Sequence, residues 1–407
     1  MALWTIRSAA LKLSLTGFLS QPMYTLAPVP RETKHPFFSA FAYEGGWEIV
    51  DELADEWRAL CSEACNDQPF YRPEWIRAHL RAFSPRAKVL LLAVRRDGQL
   101  CVLLPLVKEK ATVGGVPVRM LNAPVNGHGG RFDAVLRSSE DADSAIRTAW
   151  QLLKNLDVWD FLRLRNALEG SAISKLAALA AADGFQTVQL PERPSPYVPV
   201  PSDLETAGRL PPNAKLRSQL RQSRRRLSEQ GLLTFHRVET ADREALQRFY
   251  QLEASGWKHK QGSAILCNKE TRCFYDEIAE AAARSGYFSL YVLEFKGRLI
   301  AAHYSFTHRR CCYSPKVAYD EEFGRFAPGH LIIQEILRDC SIRGIKELDI
   351  TGPNDDWKMK WTSEVRPVYH HLIFRGRLGS LAHTLRYRIR PALKNVLSRA
   401  DKVRNPR

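Results

Sequence analysis

The chain is 407 residues long, 45% hydrophobic and 26% charged. At roughly 150 residues per domain this is two or three domains with apolar material for full cores, which excludes a single small module and a chain disordered throughout. No stretch approaches the ~20 uninterrupted apolar residues of a membrane-spanning helix, since even the run from Leu100 to Val107 is cut by Lys108. Eight cysteines without a Cys-x-x-Cys pair exclude a disulfide scaffold and a zinc knuckle and read as reduced thiols.

The leader, residues 1–36, reads as a flexible extension, with Met23 an alternative start. Lys12 interrupts its apolar run and no cleavage site follows, so a secretory signal is not expected and the predicted location is cytoplasmic. Periodicity predicts helices over 47–64 and 73–83 and strands over 88–95 and 99–107 joined by an Asp97-Gly98 turn. Further strands are expected near 116–121 and 131–136, then a helix over 142–156, a strand over 159–164 and a helix ending at Ala182. The Pro-rich stretch 191–212 is the strongest boundary signal. A basic helix follows, then a strand over 232–238, helices over 242–255 and 269–284, and strands over 287–295 and 299–307 around Lys296-Gly297. The two hairpins correspond, which suggests a duplicated α/β unit. Expected units are 37–200, a linker with basic helix 201–231, a unit 232–376 and a basic amphipathic tail 377–407.

The net charge of +16 is local. Residues 209–231 hold seven cations against Glu229, and residues 375–407 hold ten against Asp401. For the first patch an exposed helix with an apolar stripe and an anion-binding surface are both open readings. In the tail, Leu378, Leu381, Leu385 and Ile389 share a face opposite arginines, the pattern of a helix that docks on a membrane surface.

The later half carries the chemical signal. A strand over 311–319 is followed by Ala327-Pro328-Gly329-His330, a helix over 331–342 and a strand over 347–350. Unpaired N–H groups at a helix start favour an anion, and Gly329 permits close approach; an ordinary Pro-Gly turn has the same spelling. Adjacent His370 and His371 point to opposite faces of a strand, so no metal site is expected.

The hairpin 287–308, Tyr319-Asp320, Ala327-Pro328-Gly329, Leu348-Asp349-Ile350 and Trp357-Lys358-Met359-Lys360-Trp361 occur in one order. That order resembles the GNAT-superfamily acyltransferases associated with cellulose and exopolysaccharide synthesis (CelD/BcsL type), which are related to the Fem aminoacyltransferases. The resemblance implies an α/β fold of two tandem GNAT-like domains, with mixed central sheets flanked by helices. It implies transfer of an acyl group from acetyl-CoA or another acyl-CoA to an amine or hydroxyl of a sugar-derived or lipid-linked acceptor. Arg325, Gly329, His330 and Leu331 would receive the donor diphosphate, although Arg325-Phe326-Ala327-Pro328-Gly329-His330 departs from the usual Gln/Arg-x-x-Gly-x-Gly/Ala spacing. Asp349 is the candidate base, or else a turn-capping residue, and Tyr313 and Tyr319 are candidate acids, or else core residues. Glu253, Trp257 and Lys258 would line the acceptor side. Lys358 and Trp361 match a Tyr-Lys-x-x-Trp pattern in which Trp357 replaces the tyrosine. Two alternatives stand beside this: a Fem-like transferase using aminoacyl-tRNA, and a non-catalytic scaffold of a membrane polysaccharide synthase, peripheral on the inner face of the membrane.

Overall fold

The structure, a computed structural model, describes residues 38–390, so the expected leader and the tail beyond 390 lie outside the described residues. The first half opens with strand β1 (Phe38–Gly45), helices α1 (Ile49–Glu52) and α2 (Ala54–Glu63), a 3-10 turn Pro69–Tyr71 and helix α3 (Pro73–Phe83). Pro73 starts α3, where its missing N–H costs nothing. Strands β2 (Lys88–Arg96) and β3 (Gln99–Val113) form the first hairpin. Between them Asp97 and Gly98 have φ 49 and 80, the paired left-handed residues of a two-residue turn. Strand β3 outruns the expected 99–107 because Gly114 and Gly115, with φ 62 and 94, make a second such turn into β4 (Val116–Asn122). The strand expected over 131–136 shrinks to β5 (Val135–Leu136); α4 (Ala142–Asn155), β6 (Phe161–Leu168) and α5 (Ala172–Ala182) follow.

Strand β7 (Gln186–Pro199) runs into the Pro-rich stretch 191–212 and takes up its first nine residues. The second half then runs through α6 (Leu204–Gly208), α7 (Ala214–Gln230), β8 (Leu233–Val238), α8 (Arg243–Ser255), α9 (Trp257–Lys260) and α10 (Lys269–Arg284). Helix α7 buries Leu216, Leu220 and Leu227 and turns Arg221, Arg225 and Arg226 to solvent. Strands β9 (Phe288–Phe295) and β10 (Arg298–His308) form the second hairpin, again on left-handed Lys296 and Gly297. Next come β11 (Cys311–Tyr319), a 3-10 turn Glu321–Phe326, α11 (Pro328–Ile342), β12 (Glu347–Asp349), α12 (Asp356–Met359), β13 (Val365–Phe374) and α13 (Gly376–His383). The last helix continues through a π-helical turn, Thr384–Ile389.

The fold is mixed α/β, built on one 13-stranded sheet with the order β1-β2-β3-β4-β6-β13-β7-β12-β11-β10-β9-β8 and with β5 paired to β3 off this path. Strands of both expected units enter it. Strand β13, from the end of the second unit, lies between β6 and β7 of the first. The Pro-rich stretch is a strand because β7 pairs with β13 over 186–196 and with β12 only at Tyr197, Val198 and Pro199. Its other edge is open along most of its length, where proline removes no ladder bond. A core cluster with Trp57, Phe70, Trp75 and Leu103 also contains Phe249, Phe274, Tyr275 and Phe306, so both halves share it. Among the described residues no helix is long and apolar enough to cross a membrane.

Candidate active site

Strands β11 and β12 pair in parallel only from Cys311 to Tyr313 and from Glu347 to Asp349. Beyond that point β11 runs on to Tyr319 paired with β10 but not with β12, and the chain after Asp349 turns off through Thr351 and Gly352, with φ 48 and 62. A positive φ is unfavourable for a β-branched residue, so Thr351 must be held. Its N–H donates to Asp349 Oδ1 at 2.9 Å and its carbonyl accepts from Lys358 Nζ at 2.7 Å. A bulge also opens β11: Tyr313 faces Phe306 and Lys316 faces Tyr304, so the strand holds one extra residue at Ser314-Pro315. A bulge reverses which side chains face which side.

A cleft of about 500 Å³ occupies the gap and is lined from both faces of the sheet. One wall is His303, Val317, Tyr319 and the α11 start at Ala327, Pro328, Gly329 and His330; the other is Leu252, Glu253, Gly256 and Lys258. At α11, Pro328 has no N–H, and the amides of His330 and Leu331 both turn back to Ala327 O at 3.0 Å. Gly329 is left to offer its N–H to the cleft. A Cβ there would meet only the Tyr319 ring at 3.5 Å, so the position is open. The Trp361 indole N–H donates to His330 Nδ1 at 2.9 Å, which fixes the imidazole proton on Nε2. Burial, with Lys360 nearby, lowers the His330 pKa to about 4, so the ring is a neutral donor.

On the opposite wall the buried Glu253 carboxylate accepts from Lys258 and Lys316 through Oε1, each at 3.2 Å, and from the Ile265 N–H through Oε2 at 2.7 Å. Burial alone would raise the Glu253 pKa; Lys316, Lys258 and the Ile265 amide outweigh it and hold the carboxyl below its ordinary value. Lys258 Nζ also donates to Val317 O at 2.7 Å. Burial lowers the Lys258 pKa, assisted by the charge of Lys316 and opposed by Glu253. His303, bonded to Ser314 Oγ at 2.8 Å, is pushed by burial and Lys258 to about 3 and is neutral.

The structure thus brings Glu253, Lys258, Tyr319, Gly329 and His330 into one cleft, together with His303 and Trp357, which the sequence reading had not assigned as lining residues. The other candidates lie elsewhere. Asp349 is not in the cleft: both its oxygens are held by Arg131, at 2.6 and 2.9 Å, in a buried pair. Tyr313 is a core residue packed edge-on against Phe70, and burial pushes its hydroxyl pKa far up. Leu331 lies fully inside the core beneath α11. Arg325 stacks over Phe326 at 4.7 Å on the exposed turn. Lys358 is buried, and its ammonium donates to the Thr351 and Pro353 carbonyls. Trp361 is buried and meets the cleft through its hydrogen bond to His330. The side chain of Trp257 lies outside what is described. Cys311, Glu347 and Asp349 converge closely enough to suggest a cation site, but Arg131 and Arg366 already engage the two carboxylates.

A second cavity of about 460 Å³ is lined by Pro315, Thr351, Gly352 and Pro353, and by Asn126, His128 and Arg131 from the first half. The two cavities therefore draw successive residues from the same two diverging segments.

Residues 214–359 match the acetyltransferase (GNAT) domain family. Among solved structures the chain is similar to FemX, with 14% identity, a TM-score of 0.55, and 82% of this chain and 98% of that one covered. It is also similar to the C-terminal domain of a putative lysylphosphatidylglycerol synthetase from Agrobacterium fabrum, with 13% identity, a TM-score of 0.50, and 83% and 95% coverage. A conserved protein of unknown function from Bacteroides thetaiotaomicron gives 9% identity, a TM-score of 0.50, and 79% and 97% coverage. At such identities the likeness is one of fold. No curated protein sequence matches the chain. The chain carries a GNAT-type acyltransferase domain.

Proposed function

We propose that the protein moves an acyl group from a coenzyme A thioester to an amine or hydroxyl of a sugar-derived acceptor, in the assembly of an extracellular polysaccharide. The observation that supports transfer at this place is the meeting of the α11 start with the Glu253–Lys258–Lys316 cluster in one cleft beside two separated strands. The Gly329 N–H and the His330 Nε2–H would hold the donor's diphosphate, and Tyr319 would flank its arm. A thioester supplies an activated carbonyl. Lys258 places a cation where negative charge develops on the acyl oxygen or the departing sulfur, and its lowered pKa makes it a ready proton donor to that sulfur. Glu253 holds that ammonium in place. The second cavity gives the acceptor an approach from the side of Asn126 and His128, and the acceptor's own proton passes to water there.

The donor site is tested by thermal unfolding with acetyl-CoA and longer acyl-CoAs. At a hundredfold excess over the dissociation constant the stabilisation is about 2.7 kcal/mol. Gly329→Asp, which sets a carboxylate against the diphosphate, is expected to abolish it while leaving the ligand-free transition in place. If no acyl-CoA raises the transition, the donor assignment is wrong.

One observation favours a second reading, in which the donor is an aminoacyl-tRNA. Helix α7 packs on α11 and on the turn Glu321–Phe326 that borders the cleft, and it carries exposed Arg221, Arg225 and Arg226. Charged tRNA binding whose affinity falls steeply with salt, and falls again in Arg221→Gln/Arg225→Gln, would select this reading over the first.

A further inference from the structure

We infer that the helix over 376–389 docks the protein on an anionic lipid surface. One side of this helix is locked to the sheet. Ala382 packs with Val116, Val118 and Phe374, and Leu385 and Tyr387 rest on the same cluster. A Cβ at Gly379 would come within 2.5 Å of the Asp160 carbonyl, and one at Gly114 within 2.9 Å of the Ala382 carbonyl, so the helix lies as close as backbones allow. Its orientation is therefore fixed, and what it turns outward is not relieved by rolling.

What it turns outward is apolar. Leu378, Leu381 and Ile389 are 48%, 49% and 43% exposed, in a row along the helix. Exposed Arg377, Arg386, Arg388 and Arg390 surround the row, and none of them makes an ion pair among the described residues. No Asp or Glu occurs from 376 to 390, and the sequence beyond adds Lys394, Arg399, Lys402, Arg404 and Arg407 against Asp401 alone.

Aliphatic side chains set among unpaired guanidinium groups need an apolar phase bounded by a plane of negative charge, which the headgroup region of an anionic bilayer provides. Nucleic acid would leave the leucines in water, and the row offers no exposed aromatic on which a base could stack. No residue of this helix lines either cavity, so docking and transfer use different surfaces.

The test is cosedimentation of the full chain with phosphatidylcholine vesicles with and without phosphatidylglycerol. Expected are binding only to the anionic vesicles, release as salt is raised, and a loss of about tenfold or more in partitioning for Leu378→Ser/Leu381→Ser. Arg386→Gln/Arg388→Gln should lose a similar factor. All four positions are exposed, so an unchanged thermal transition shows that the variants fold. Failure to bind anionic vesicles, or binding that the leucine variant keeps in full, overturns the proposal. So does a concentration-dependent dimer that Leu381→Ser dissociates in the absence of vesicle binding. None of these readouts depends on acyl transfer.

Discussion

Arg131→Met is expected to remove about 3–5 kcal/mol of stability, because it strands a buried carboxylate. Asp349 is 0% exposed and Arg131 6%. The guanidinium holds both Asp349 oxygens and donates to Ser195 Oγ at 2.7 Å. Arg366 would remain, at 3.3 Å from one oxygen, and Lys358 would act on Asp349 through its charge without a direct bond. The pair joins residues 218 positions apart and stands at the point where β12 leaves β11, so the same change should loosen the gap and the Thr351 turn bonded to Asp349. Replacing both partners, Arg131→Met with Asp349→Leu, removes the desolvation cost along with the attraction and is expected to recover most of the loss. Urea unfolding of the two single variants and the double one measures this. A single variant within about 1 kcal/mol of the parent would mean that the pair is solvated and does not tie the halves together.

This pair also shows what the sequence could not express. Local pattern places Asp349 at the end of a buried strand after Gly344, where a cleft-facing carboxylate and a structural one look alike. Only the partner decides, and Arg131 lies in a loop of the other half. The strands at 186–199 and 365–374 have the same difficulty: their pairing is non-local, so the prolines of β7 read as a boundary signal although one open edge tolerates them. Elements governed by neighbouring residues were legible. Helix α3 and strand β11 have the expected limits, as does α8 after its Asp242 cap, and both two-residue hairpin turns sit on the expected residues.

The site divides the same way. Gly329 and His330 stand at a helix start, which is a local feature, whereas Glu253 and Lys258 were expected only from the resemblance, which puts acceptor-side residues at that helix end. His303 and Lys316 were not assigned. The signal for Lys316 was Pro315, a proline inside a strand, which marks a bulge and therefore a change of face for the residues after it. Lys358 was expected, from the Tyr-Lys-x-x-Trp pattern of the resemblance, on the substrate side, but its ammonium donates to the Thr351 and Pro353 carbonyls, and carbonyls carry no mark in a sequence.

Lys258→Met is expected to lower kcat by about 10²- to 10³-fold, the loss that follows removal of one donor to developing negative charge. The fold should survive, since Glu253 keeps Lys316 at 3.2 Å and the Ile265 N–H at 2.7 Å. Glu253→Gln is a different case: it leaves two buried ammonium groups without a carboxylate and should cost stability as well as rate. The pH profile separates a proton donor from a structural cation. Lys258 must be protonated to act, so rate is retained below its pKa and lost as pH rises through it. Because burial and Lys316 lower that pKa, the descending limb should lie below 10.5, the ordinary lysine value. Lys316→Met removes the neighbouring like charge and should carry the limb to higher pH, while Lys258→Met should erase it. Glu253 sets the acid side of stability. Its carboxyl is held below the ordinary 4.5, so the contribution is complete above that value and disappears as pH falls through the lowered one. A limb that stays in place when Lys316 is replaced, or a kcat within about threefold of the parent in Lys258→Met, would leave the lysine as a strut between Glu253 and Val317 and return the proton donor to water.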